Sequence, residues 1–235
     1  MIFAGVLAGG KGTRLESSIP KQFIEIEGIP LIVRTLKTFL SVESFNKVIV
    51  SMNKDWVDYC LNLFSEYDMP MDRLEVILGG ETRFESLYNV TLKAAKLSGG
   101  KDDIIVTHDC ARLFVSKRIL EDNIRDIENY DAVTTAIPTI DTILHTPDGK
   151  VSTDVPVRKE LWLDQGPQSY KVAQFLEMAD KLTSMEREKY MEAGKLYIDS
   201  GLKVGLVMGD RYNFKITNDI DLKYAAFLLR EGAVQ

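Results

Sequence analysis

Phe3-Ala4-Gly5-Val6-Leu7-Ala8-Gly9-Gly10-Lys11-Gly12-Thr13-Arg14-Leu15, followed shortly by Pro20-Lys21-Gln22, takes the chain from an apolar run into glycines and then into cations. A short apolar run bounded by glycines reads as a buried strand. Glycines placed after a strand let backbone N–H groups come close to phosphate oxygens and form an anion nest. Arg14 and Lys21 add positive charge beside it, which points to a polyphosphate pocket and a nucleoside triphosphate enzyme. The loop is not a Walker A motif, because no Gly-Lys-Ser/Thr follows at the required spacing. It is not the dinucleotide fingerprint either, since Leu15 stands where the third small residue belongs. A different phosphate loop and a plain tight turn remain as the local readings.

Working outward, β-branched apolar runs recur at Phe3 to Leu7, Lys47 to Ser51, Leu74 to Leu78, Asp103 to Thr107 and Ala132 to Ile137. The stretches between them carry helical periodicity. Leu31, Ile32, Val33, Leu36, Phe39 and Leu40 follow i, i+3, i+4 spacing, with Pro30 suited to a first turn. Further helices are expected over Trp56 to Tyr67, Phe84 to Leu97, Ser116 to Asn129, Lys171 to Leu182, Ser184 to Ser200 and Asp219 to Arg230. Strands alternating with helices predict an α/β fold with a mainly parallel sheet covered on both faces. Asp141 to Val155 breaks the rhythm as strand, Pro147-Asp148-Gly149 turn and strand, a hairpin that is either a dimerisation arm or a surface loop.

At 235 residues the chain suits one domain, 1–235, with a modest appendage at about 141–157. Its 45% hydrophobic and 27% charged residues are those of an ordinary globular protein. No apolar run reaches the ~18 residues of a membrane span, and the N-terminus lacks signal-peptide anatomy, so a cytoplasmic protein with no membrane partner is expected. Cys60 and Cys110 have no metal-type spacing and read as reduced thiols. A net charge of −6 argues against nonspecific nucleic-acid binding.

Two more stretches fall at the carboxyl edge of predicted strands, where ligands of open α/β sheets bind. Gly79-Gly80-Glu81-Thr82-Arg83-Phe84-Glu85-Ser86 follows the third strand; it offers Ser86 to a base or phosphate, or serves only as a turn with helix caps. Thr107-His108-Asp109-Cys110-Ala111-Arg112 ends the fourth strand. Asp109 is a candidate ligand for magnesium, which needs only one or two carboxylates besides phosphates, or for a substrate hydroxyl. His108 reads better as a hydrogen-bonded scaffold residue, and Cys110 as packing.

Taken in order, these motifs resemble the cytidylyltransferases that make CDP-activated polyol phosphates. The resemblance runs from Ala8 to about Ala225 through the glycine loop, Pro20-Lys21-Gln22, Gly80 to Ser86, His108 to Arg112, Asp141-Thr142 and Asn213-Phe214-Lys215-Ile216-Thr217. It implies a Rossmann-like sheet of the nucleotide-diphospho-sugar transferase type with a protruding hairpin that exchanges between subunits of a homodimer. It also implies that CTP is held by Leu7, Ala8, Gly9, Gly10, Gly12, Thr13, Arg14, Lys21, Gly80, Glu81, Ser86 and Lys215. Arg14, Lys21 and Lys215 would act on the reacting phosphates together with Mg2+, for which Asp109 is the candidate ligand. Asp109, Arg112, Thr142 and Arg158 would hold the polyol-phosphate acceptor, with Thr142 and Arg158 supplied by the neighbouring subunit.

Within the family, Ala8 to Arg14 and Val155-Pro156-Val157-Arg158 look more like the branch acting on D-ribitol 5-phosphate, which serves wall polymers such as teichoic acid. Leu161-Trp162 is shared with the other branch, the 2-C-methyl-D-erythritol 4-phosphate enzymes of isoprenoid biosynthesis, which is the alternative reading. A sugar-1-phosphate nucleotidylyltransferase and a noncatalytic nucleotide-binding homologue are the wider alternatives. Four positions depart from the family pattern: Leu113 stands for Pro, Gly166 for Thr, and Met191-Glu192 for a Thr-Asp pair.

Overall fold

A computed structural model describes residues 1–10 and 19–233. Its strands are β1 (Ile2–Leu7), β2 (Glu25–Ile26), β3 (Ile29–Pro30), β4 (Lys47–Met52), β5 (Leu74–Leu78), β6 (Ile104–Asp109), β7 (Ala132–Pro138), β8 (Trp162–Lys171) and β9 (Val204–Met208). The helices are α1 (Leu31–Leu40), α2 (Val57–Glu66), α3 (Arg83–Leu97), α4 (Lys117–Asp126), α5 (Val172–Ala179), α6 (Ser184–Arg187), α7 (Ala193–Asp199) and α8 (Asp219–Arg230). Seven strands form one sheet in the order β5-β4-β1-β6-β8-β7-β9, and β2 pairs with β3 apart from it. Neighbouring strands run parallel except at β8, which is antiparallel to both β6 and β7. The α/β architecture expected from the sequence is therefore present.

The central strands read as unbroken apolar runs because both faces are covered. Successive side chains point to opposite faces. Ala4, Val6, Val48, Val50 and Val106 pack with α1, α2, α4 and α8, while Phe3, Ile49 and Ile105 pack with α3, α5 and α7. Added to β1, a Cβ at Gly5 would stand 3.0 Å from a Val90 methyl, so the glycine lets α3 lie close on the sheet.

The five strands expected for the sheet all form, but β2, β3, β8 and β9 lie outside the expected runs. Trp-Leu-Asp-Gln-Gly-Pro-Gln-Ser-Tyr-Lys is polar, carries an internal Gly-Pro and has no strand periodicity. Its strand state comes from pairing on both sides, with Val106↔Ser169 to β6 and Val133↔Ser169 to β7. As an edge strand, β9 pairs only with β7 and alternates exposed and buried residues.

The helix expected over Ser184 to Ser200 is two short helices, α6 and α7, broken before Glu192, which enters α7 as its N-cap. The hairpin expected at 141–157 is a return loop closed by a single antiparallel bridge, His145↔Asp154. Asp148 Oδ1 accepts from the Lys150 and Val151 amides at 2.9 and 3.0 Å and fixes the turn, with Gly149 at φ +70°. Residues 141–155 are all exposed, so nothing else in the described chain packs against the limbs to extend a ladder. Among the described residues no helix is long and apolar enough to cross a membrane.

Candidate active site

After β1 the chain crosses to β4 and β5 on one side, and later to β6 on the other. The topological switch point is therefore at the carboxyl ends of β1 and β6, where Leu7 and Asp109 are register partners. A cleft of about 750 Å³ opens there, lined by the ends of β1, β4, β5 and β6 and the segments that follow them. Of the residues singled out from the sequence, Leu7, Ala8, Gly9, Gly10, Lys21, Gly80, Glu81, Ser86, Asp109 and Lys215 line it. Gly12, Thr13 and Arg14 lie outside the described residues.

The glycine segment is anchored where it leaves the sheet. Ala8 donates its amide to the Ser51 carbonyl at 3.0 Å, and the buried Gln22 Nε2 donates to the Ala8 carbonyl at 2.7 Å. Pro20-Lys21-Gln22 thus does structural work through Gln22 while presenting Lys21 to the cleft, where its Nζ donates to the Ile216 carbonyl at 3.1 Å. An added Cβ at Gly10 would meet no atom of the described residues within 4 Å.

Across the cleft, Thr82 and Glu85 form a capping box at the start of α3. Glu85 Oε2 also accepts the Glu81 amide at 2.7 Å, and Ser86 Oγ accepts the Gly80 amide at 3.0 Å. These bonds turn the chain so tightly that a Cβ at Gly80 would overlap the Glu85 side chain and lie 2.9 Å from its main-chain carbon. Gly80 is required by this close approach.

Charge concentrates at Asp109. Its Oδ1 accepts from Arg83 Nε at 3.1 Å and lies 3.0 Å from Arg83 Nη2, while Oδ2 accepts from Lys215 Nζ at 2.6 Å. Burial alone would raise the Asp109 carboxyl, but the Arg83 and Lys215 cations outweigh it and hold the group well below the usual carboxylate range. Arg83 continues the chain of charges: Nη1 lies 3.1 Å from Glu192 Oε2 and also donates to the Met191 carbonyl. Burial, reinforced by the carboxylates of Asp109 and Asp164, pushes the Glu192 carboxyl up to about 7 against the opposing pull of Arg83 and Lys215.

Asp109 was also the candidate magnesium ligand. Both of its oxygens are engaged by cations, and no cluster of three His, Cys, Asp or Glu side chains gathers among the described residues. This donor set does not fit a metal held by the protein.

His108 is scaffold, as its position at a strand end suggested. It is 1% exposed, and burial pushes its imidazole down to about 4, so the ring is neutral near pH 7. Its Nε2 lies 3.0 Å from the Arg112 carbonyl, which only accepts, so Nε2 carries the proton. Burial likewise raises the Cys60 thiol to about 12 and pushes Cys110 up.

The acceptor residues divide. Arg112 is held against the Lys215 segment, its Nη1 donating to the Asn213 carbonyl at 2.9 Å. Thr142 and Arg158 are exposed on the return loop and its exit, and neither they nor Arg112 are among the residues lining the cleft. Arg83, Gln22 and Glu192 were not singled out from the sequence. Arg83 and Gln22 lay inside quoted motifs, whereas Glu192 stood out only as a departure from the family pattern.

The IspD family model, described as 2-C-methyl-D-erythritol 4-phosphate cytidylyltransferase, matches residues 2–231. The chain belongs to this family. Among solved structures it is similar to 4-diphosphocytidyl-2C-methyl-D-erythritol synthase from Anaerococcus prevotii, at 24% identity and TM-score 0.80 over 97% of this chain and 96% of that one. It is also similar to 2-C-methyl-D-erythritol 4-phosphate cytidylyltransferase from Francisella tularensis, at 25% identity and TM-score 0.79 over 96% and 98% of the two chains. These TM-scores show that the chain shares their fold.

Proposed function

We propose that the chain transfers the cytidylyl group of CTP to 2-C-methyl-D-erythritol 4-phosphate, releasing pyrophosphate. The observation that carries this reading is the match of residues 2–231 to that family, together with a cleft of nucleotide size at the switch point. Family membership favours this acceptor over the ribitol 5-phosphate suggested by the residues around Gly9 and Arg158, and it favours isoprenoid synthesis over wall-polymer synthesis.

An oxygen of the acceptor's phosphate attacks the α-phosphorus in line, the bond to the bridging α,β-oxygen breaks, and pyrophosphate departs with that oxygen. The acceptor phosphate has a second pKa of about 6, so at neutral pH it is largely dianionic and needs no general base. Orientation and charge neutralisation carry the catalysis. In this reading Gly9, Gly10 and Gly12 hold the triphosphate, Lys21 offsets its charge, Arg14 takes the leaving pyrophosphate and Lys215 the crowded α-phosphate. Gly80, Glu81 and Ser86 approach the nucleoside. Magnesium would be supplied with CTP and would offset phosphate charge there, since Asp109 is already engaged by Arg83 and Lys215.

The acceptor lies against Asp109 and Arg112, and Thr142 and Arg158 of the partner subunit close over it. Exposed Ile140, Leu144, Val151, Val155 and Val157 on and beside the loop support an arm that packs on a second copy. The enzyme is expected in the cytoplasm.

The test is pyrophosphate release from CTP and magnesium with 2-C-methyl-D-erythritol 4-phosphate, with D-ribitol 5-phosphate, and with no acceptor. Preference for the first is expected. Preference for ribitol 5-phosphate would reverse the choice of acceptor, and silence with both would leave a noncatalytic nucleotide-binding protein.

A further inference from the structure

Four charged side chains from four separate segments meet at one edge of the cleft. Glu192 stands at the N-cap position of α7, Arg83 opens α3, Asp109 ends β6, and Lys215 lies in the loop before α8. They connect in a line: Glu192 Oε2 to Arg83 Nη1 at 3.1 Å, Arg83 Nε to Asp109 Oδ1 at 3.1 Å, and Asp109 Oδ2 to Lys215 Nζ at 2.6 Å. Arg83, Asp109 and Lys215 line the cleft, whereas Glu192 does not.

A guanidinium offers two faces in a fixed fork, so a carboxylate gripping one side sets the angle at which the other side meets its partner. Arg83 uses Nε and Nη2 on Asp109 and Nη1 on the start of α7. We infer that Glu192 is a positioning residue: by holding Arg83, it fixes the Asp109 carboxylate, which in turn aims the Lys215 ammonium at the reacting phosphates. In this inference Glu192 acts through Arg83 and not on the substrate itself. The inference rests on the cytidylyl-transfer reading for what Lys215 does, but the side-chain relay itself exists without substrate.

Charge balance gives the relay a second property. With Glu192 ionised, the carboxylates of Glu192, Asp109 and Asp164 face the cations of Arg83, Arg112 and Lys215. With Glu192 neutral, the cluster carries one negative charge fewer and Arg83 loses its outer ionic partner. The groups facing Glu192 are Arg83 from α3, Asp109 from β6, Arg112 from the segment after β6, Asp164 from β8 and Lys215 from the loop before α8, and burial among the carboxylates raises its own carboxyl to about 7. The relay is then tight above neutral pH and loosened below it.

The experiment compares wild type with Glu192→Ala, Glu192→Gln and Glu192→Asp. Wild-type pyrophosphate release is measured first, since its absence would sink the proposed function and not the relay. In the substrate-free protein, the Arg83 Nε–H resonance is followed by 15N NMR. It is expected to be protected in wild type and Glu192→Asp, and exchange-broadened in Glu192→Ala. In turnover, Glu192→Ala should lower kcat by about 10- to 100-fold, the scale of misplaced reacting groups, with the KM for CTP within about threefold. Glu192→Asp should recover most of it.

The acceptor phosphate contributes a pH limb near 6 to every variant. Wild type should show an additional fall in kcat below pH 7 that Glu192→Gln lacks. Glu192→Gln also serves if Glu192→Ala fails to fold, because it preserves the shape of the side chain. Unchanged kcat and an unchanged Arg83 resonance would overturn the inference. So would a loss of kcat with the Arg83 resonance intact, which would make Glu192 a substrate ligand.

Discussion

Lys215 Nζ lies 2.6 Å from Asp109 Oδ2, joining the end of β6 to a loop 106 residues later in the chain. The pair brings a cation to the one edge of the sheet where the strand order reverses, and it holds that cation in place before any anion arrives.

Lys215→Ala is expected to lower kcat by ~100-fold or more, the effect of losing one preorganised charge donor at a transition state, with a smaller change in CTP affinity. Pyrophosphate release and CTP titration calorimetry separate the two. A loss confined to CTP affinity would limit Lys215 to ground-state binding.

Asp109→Asn leaves Arg83 and Lys215 without their shared counter-charge. Side-chain exposure is 14% for Asp109 and 37% for Lys215, so solvent screening moderates the penalty. A loss of about 1–3 kcal/mol in urea-unfolding free energy is expected, below the range for a fully buried pair. No change would mean that the pair adds nothing to stability.

Gly80→Ala should disturb the turn into α3, because the new methyl overlaps the Glu85 side chain. Overpacking of this kind costs about 1–3 kcal/mol. The thermal midpoint should fall and CTP affinity with it, whereas Gly10→Ala, where no described atom stands within 4 Å, should leave the midpoint unchanged. Equal midpoints for the two variants would contradict the geometry.

Burial depresses His108 from 6.5 to about 4, so the unfolded chain takes up its proton at a higher pH than the folded one. The stability this provides is complete above pH 6.5 and lost as pH falls toward 4, amounting to about 3 kcal/mol. His108→Gln keeps a donor for the Arg112 carbonyl and removes the titration. Its unfolding free energy should vary less between pH 6.5 and 4 than that of wild type, and parallel curves would refute the buried neutral ring.

If the return loop completes a neighbouring site, Lys21→Ala and Arg158→Ala subunits, each inactive alone, should regain activity when mixed and refolded together. About a quarter of the wild-type rate is the statistical expectation for random pairing, in which half the dimers carry one intact site of two. Absence of rescue at confirmed dimer exchange would show that each subunit is self-contained.

The sequence by itself determined the parallel half of the sheet and the glycine-lined edge of the cleft. Strands such as Phe3 to Leu7 and Lys47 to Met52 are buried on both faces, so their apolar runs are visible without any partner. Glycine-rich turns such as Gly79-Gly80 are legible for a similar reason: close backbone approach is a local demand that only glycine meets. Only the tertiary structure decided β8, whose polar Gln165 to Ser169 becomes strand by pairing with β6 and β7. It alone also decided the Glu192–Arg83–Asp109–Lys215 relay, because an ion pair needs two side chains within a few ångströms and chain spacing holds no trace of that distance.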